Sequence, residues 1–120
     1  MTRLQAWAVA FVLTCAIEVP GAVYCAWRLV PGLRRTELVR LACTSLLGQS
    51  LTHPLVWFVF PLLPLHEESS FALSEIFAWL VEAGLYWRLG RLPWRAAFAI
   101  SGLANAASLG AGLALENVIT

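Results

Sequence analysis

Four long apolar segments, set apart by three short polar connections, constrain this chain more than any other feature of its sequence. A helix that crosses the ~30 Å hydrocarbon core of a bilayer needs about 20 mostly apolar residues. Segments of that order run from about Leu4 to Trp27, Leu41 to Leu63, Phe71 to Trp87 and Ala96 to Leu115. The connections Arg28–Arg40, Pro64–Ser70 and Arg88–Arg95 leave no room for a soluble domain, so successive helices must lie antiparallel and side by side. The expected fold is all-α: a single integral membrane domain over residues 1–120, built as a four-transmembrane-helix bundle.

Composition agrees with a lipid solvent. The chain is 60% hydrophobic and 12% charged, where a soluble domain carries about a quarter charged residues. A net charge of +1 offers no basic stripe, so no nucleic-acid partner is expected. The cysteines Cys15, Cys25 and Cys43 are odd in number and lack C-x-x-C spacing, which speaks for small buried hydrophobes rather than zinc or redox chemistry. The first segment differs from a cleaved signal: its apolar run is long, it contains Glu18 and Pro20, and Thr14 precedes Cys15 where a lipoprotein signal has a small residue. It reads as a retained span.

Orientation follows from the arginines. Arg28, Arg34, Arg35, Arg40, Arg88, Arg91 and Arg95 fall in the first and third connections, and only Arg3 lies on the other side. Short cytoplasmic loops carry the basic excess, which predicts both termini outside and loops 28–40 and 88–95 in the cytoplasm, in a bacterial inner membrane. Trp27-Arg28, Trp87-Arg88 and Trp94-Arg95 each join an interfacial ring to a snorkelling cation.

The second and fourth segments also echo each other. Ser45, Gln49 and Thr52 recur as Ser101, Asn105 and Ser108 with the same spacing, each set following an interfacial Arg and a helix that carries a Glu. Two parallel-repeat hairpins, related by an axis along the membrane normal, would produce this. Similar amphipathic demands on unrelated hairpins would produce it too.

Ionisable groups inside hydrocarbon are costly and face the bundle interior by default. At about 1.5 Å per residue from the arginines, Glu18, Gln49 and Asn105 lie roughly 15 Å deep, Glu75 and His53 about 20 Å, and Glu82 about 9 Å. Every segment thus brings a polar group to one central belt, with Thr52, Tyr86, Ser101 and Ser108 in support. Glu75, Glu82 and Tyr86 share a face by i, i+7, i+11 spacing; Glu18 shares one with Thr14, Gly21 and Cys25. His53, at the depth of Glu75, is its expected companion. Pro20 and Pro54 free the carbonyls of Ala16 and Ser50 beside these groups.

Three readings compete. The belt Glu18, Gln49, His53, Glu75, Glu82 and Asn105 binds a cation or small ligand, or relays protons, as carboxylate and His chains do in transporters. Alternatively these groups are interhelical glue in an accessory or assembly subunit of a larger membrane complex, each contact worth about 1–2 kcal/mol. Or the chain is an intramembrane enzyme with a Glu base. The enzyme reading has the least support. His66-Glu67-Glu68 is not H-E-x-x-H, since Ser70 stands four after His66, and Ser101 and Ser108 lack a G-x-S-x-G setting. No catalytic residue and no cofactor is implied, and a metal is left open. The bilayer is the sure partner. A homo-oligomer is expected because one such bundle is small, with Gly84, Gly102, Ala106, Gly110 and Ala114 available at contacts.

Overall fold

The computed structural model describes residues 1–119, with side chains as far as Asn117. Four helices, α1 (Arg3–Leu29), α2 (Arg35–Phe58), α3 (Glu67–Arg88) and α4 (Trp94–Ile119), are joined by tight connections, with a 3-10 turn at Phe60–Leu62. No strand occurs among the described residues. The all-helical expectation holds, but every helix boundary moves.

The shifts have local causes. α1 begins at a capping box: the Thr2 hydroxyl accepts from the Gln5 N–H at 3.1 Å, and the Gln5 side-chain oxygen accepts from the Thr2 N–H at 2.8 Å. α2 starts at Arg35, well before the apolar run at Leu41, because Glu37 Oε1 takes the Arg34 N–H at 3.2 Å and steadies a charged first turn. The first connection is therefore only residues 30–34, not Arg28–Arg40. α3 starts at Glu67 rather than Phe71. Its first turn holds Glu67 and Glu68, where the helix dipole favours acids.

α2 ends at Phe58 instead of Leu63 because Pro61 has no N–H to give to the carbonyl of Trp57. That carbonyl accepts instead from Arg3 Nη2 at 2.8 Å. The Arg3 guanidinium also lies 5.7 Å from the centre of the Phe58 ring. The one arginine that stands apart from the others thus closes the far end of α2 against the start of α1.

The helices form a closed ring: α1 packs on α2 and α4, and α3 packs on α2 and α4, within 43 × 28 × 21 Å. The two ends differ. Near the arginines a tight apolar core gathers Ala22, Ala26, Leu41, Tyr86, Leu92, Ala97, Ile100 and Ala104. Alanines on α1 and α4 let those backbones approach closely. At this end Arg28, Arg88 and Arg95 lie over their neighbouring Trp27, Trp87 and Trp94 rings at 5.9, 5.0 and 5.3 Å.

By length and composition two helices are apolar enough to cross a membrane, Arg3–Leu29 and Trp94–Asn117, with mean hydropathy 1.8 and 1.5. α2 and α3 fall short of the four-span expectation. The reason is visible in their sequences: α2 holds Arg35, Glu37, Arg40, Gln49 and His53, and α3 holds Glu67, Glu68, Glu75 and Glu82.

Candidate functional site

The inner face of α2 carries Thr44, Ser45, Gly48, Gln49, Thr52 and His53, all buried. Two of its hydroxyls turn back onto their own helix: Thr44 Oγ1 donates to the Arg40 carbonyl at 2.8 Å and Thr52 Oγ1 to the Gly48 carbonyl at 2.9 Å. Gln49 is left to reach across the bundle, and its Nε2 donates to Glu82 Oε1 on α3. Gly48 makes room for this pair, since a Cβ there would sit 3.1 Å from Glu82 Cγ. Sequence reasoning passed over Gly48. Its signal was a glycine in a helix interior, a choice that costs about 1 kcal/mol against Ala and needs a packing reason.

Glu18 on α1 comes from the opposite side. It is 1% exposed, has the Gln49 side chain beside it and feels the charges of Glu82 and Glu75. Among the described residues, neither Glu18 Oε2 nor Glu82 Oε2 has a hydrogen-bond partner. From α4, Asn105 faces Glu82 and donates to the Ser101 carbonyl at 2.8 Å. Ser101 Oγ donates to the Trp79 carbonyl at 2.8 Å, and Trp79 Nε1 donates to the Phe98 carbonyl at 2.9 Å, a two-way tie between α3 and α4.

His53 has a different setting from the one its depth suggested. Its ring sits among Trp7, Phe11 and Trp57, with centroids 6.2, 5.5 and 6.1 Å away. Its buried Nδ1 has no hydrogen-bond partner among the described residues. It makes no hydrogen bond to Glu75, because its position on α2 turns the ring toward the aromatic face of α1.

A cavity of about 740 Å³ joins these groups, lined from all four helices by Glu18, Gln49, Thr52, His53, Glu75, Asn105 and Ser108 among others. It runs toward the end opposite the tight core, where the exposed Leu65, Glu67, Phe71 and Glu116 line it. Glu82 is not in its wall and joins the site through Gln49. Tyr86 also lies outside the cavity, on the core side, facing Ser45, Glu82 and Glu18. Ala16 and Ser50, whose carbonyls the prolines free, do not line it.

A second space of about 630 Å³ lies between α3 and α4 on the outer side, bounded by Ile76, Trp79, Phe98, Gly102, Leu103 and Leu109. Glu75 and Asn105 line both spaces.

Among the described residues, no three His, Cys, Asp or Glu side chains are grouped to hold a metal ion. The arrangement places two carboxyls, Glu18 and Glu75, in one cavity wall, with Glu82 reached through Gln49. No family model, no curated protein and no solved structure matches the chain.

Proposed function

We propose that this is a four-span membrane protein whose cavity binds a cation or small ligand, coupled to proton or cation movement through the bilayer. The cavity carries the reading: a space of about 740 Å³ is lined in part by the buried Glu18, whose Oε2 has no hydrogen-bond partner among the described residues. Interhelical glue would require that oxygen to be bonded, since an unsatisfied buried polar atom costs about 1–3 kcal/mol.

The lipid setting of α2 and α3 rests on which residues they leave outside. Leu46, Leu47, Leu51 and Leu55 of α2 are exposed, as are Leu73, Ile76 and Leu80 of α3, while Gln49, His53 and Glu82 turn inward. Apolar outside and polar inside is the pattern of a bundle in hydrocarbon. Only 11% and 17% of the most apolar stretches of α1 and α4 are buried among the described residues, which supports a setting in lipid. With the arginine end in the cytoplasm, the cavity mouth and both termini face outside.

Proton and cation flux in proteoliposomes tests the proposal, with wild type against Glu18→Gln, Glu75→Gln and Glu82→Gln. Flux that falls in the Gln variants supports it. Equal flux and equal stability across all four proteins at every pH removes it, in favour of a structural subunit.

A further inference from the structure

The ionisable side chains that line the cavity are carboxyls and His53. Glu18 and Glu75 lie inside it and Glu67 at its outer part, and no arginine lines it. Arg3, at the same end of the bundle, is engaged by the Trp57 carbonyl and the Phe58 ring. A buried carboxyl in such a cleft becomes a negative partner when a cation arrives beside it, because the opposite charge favours its ionised form.

Its dimensions narrow the choice of cation. About 740 Å³ falls in the range of roughly 300–1,000 Å³ typical of small-molecule sites and is far more than a bare inorganic ion fills. The carboxyls are not grouped to chelate one either. The walls add Trp57, Phe60 and Phe71, rings whose faces attract cations. Beyond Glu75 and Asn105 lies the outer groove between α3 and α4, lined otherwise by apolar and aromatic side chains.

We infer that the cavity takes an organic cation with an apolar body, its charge against Glu18 and Glu75 and its body on the aromatic wall and in the α3–α4 groove. This deepens the function proposed above and rests on it. The independent pointers to a ligand are Glu18 Oε2 and His53 Nδ1, which have no hydrogen-bond partner among the described residues and belong to side chains 1% and 9% exposed that both line the cavity.

The test uses the full chain in nanodiscs of zwitterionic lipid, with two probes of the same shape and opposite charge, tetraphenylphosphonium and tetraphenylborate. Equilibrium dialysis should give saturable binding of the phosphonium alone. Its affinity should fall at least about tenfold in Glu18→Gln and in Glu75→Gln, the loss expected for one charge-assisted contact. Should those variants fold poorly, Trp57→Leu should bind more weakly than Trp57→Phe, which keeps a ring. Equal binding of both probes, or phosphonium affinity unchanged by every one of these substitutions, would mean partition into apolar surface and overturn the inference. No phosphonium binding alongside a Glu18-dependent flux would overturn the organic cation and leave the proposed function standing. Loss of both would remove the two together.

Discussion

The side-chain amide of Gln49 on α2 donates to the carboxyl of Glu82 on α3, and the same side chain lies beside Glu18 of α1. Three helices therefore converge on one neutral donor, and each of the two carboxyls beside it keeps an oxygen without a hydrogen-bond partner among the described residues. This arrangement ties α1, α2 and α3 together beside the cavity.

Gln49→Leu should accordingly destabilise the bundle by about 1–2 kcal/mol, because it strands the Glu82 oxygen in a buried place. Leu46→Ala, on the exposed outer face of α2, should cost less. Thermal unfolding in detergent compares the two, and equal midpoints would remove Gln49 from its structural role. Asn105→Leu should be intermediate. Its amide bonds the Ser101 carbonyl of its own helix, so its loss breaks fewer contacts between helices.

Glycines give a second, sharper contrast. A Cβ on Gly90 would sit 2.6 Å from the Tyr86 carbonyl oxygen and 2.8 Å from Leu41 Cδ2. Gly90→Ala should therefore cost about 1–3 kcal/mol, the usual range for overpacking. A Cβ on Gly84 meets nothing within 4 Å, so Gly84→Ala should stabilise the helix by about 0.5–1 kcal/mol. A drop in the Gly84→Ala midpoint would instead point to a contact between copies, the role expected of this residue from its size.

Much of this organisation was legible in the sequence, for physical reasons that also mark where legibility stopped. Apolar runs found the four helices, because only helices satisfy their own backbone over such lengths. They misjudged the ends, because apolar content reports hydrocarbon depth rather than hydrogen bonding. Arg35 to Arg40 is helical though charged, and Phe60 to Leu62 leaves the α-helix though apolar.

Depth counting brought Glu18, Gln49, His53, Glu75 and Asn105 to a common cavity, since rise per residue is fixed. It could not tell which neighbour each would meet, since that depends on rotation about the helix axis and on gaps such as Gly48. The pairing of Gln49 with Glu82 and the aromatic surroundings of His53 were therefore out of reach. So was the role of Arg3, which needs both the carbonyl freed by Pro61 and the closure of α1 on α2. The two hairpins suggested as repeats do not use their matching residues alike: Ser101 ties α4 to Trp79, whereas Ser45 Oγ has no hydrogen-bond partner among the described residues.

Orientation yields a third prediction. In a background with Cys15, Cys25 and Cys43 replaced, a cysteine at Glu68 should react with an impermeant maleimide added outside cells. One at Arg34 or Arg91 should react only after permeabilisation. Glu68 lies in the exposed first turn of α3, and Arg34 and Arg91 are exposed at the opposite end of the bundle. The reverse labelling pattern would invert the membrane topology, turning the cavity mouth to the cytoplasm.

The last prediction separates the three glutamates. Gln keeps the shape and hydrogen-bonding capacity of a carboxyl but cannot ionise. In Glu82→Gln the new side-chain oxygen can still accept from Gln49, so fold and insertion should survive, and any loss of flux then reports the missing charge. Glu18→Gln removes ionisation at the carboxyl that lines the cavity itself, and should abolish flux while moving the thermal midpoint little. Glu75→Gln, at the wall shared with the outer groove, should weaken binding of the transported species more than it changes the maximal rate. Glu→Ala at any of the three positions would damage packing under every reading and so cannot discriminate. The measurement is flux against substrate concentration in proteoliposomes at several pH values, paired with unfolding midpoints in the same lipid. If Glu18→Gln retained wild-type flux while Glu82→Gln lost it, proton or cation transfer would run through the Gln49–Glu82 pair rather than through the cavity wall.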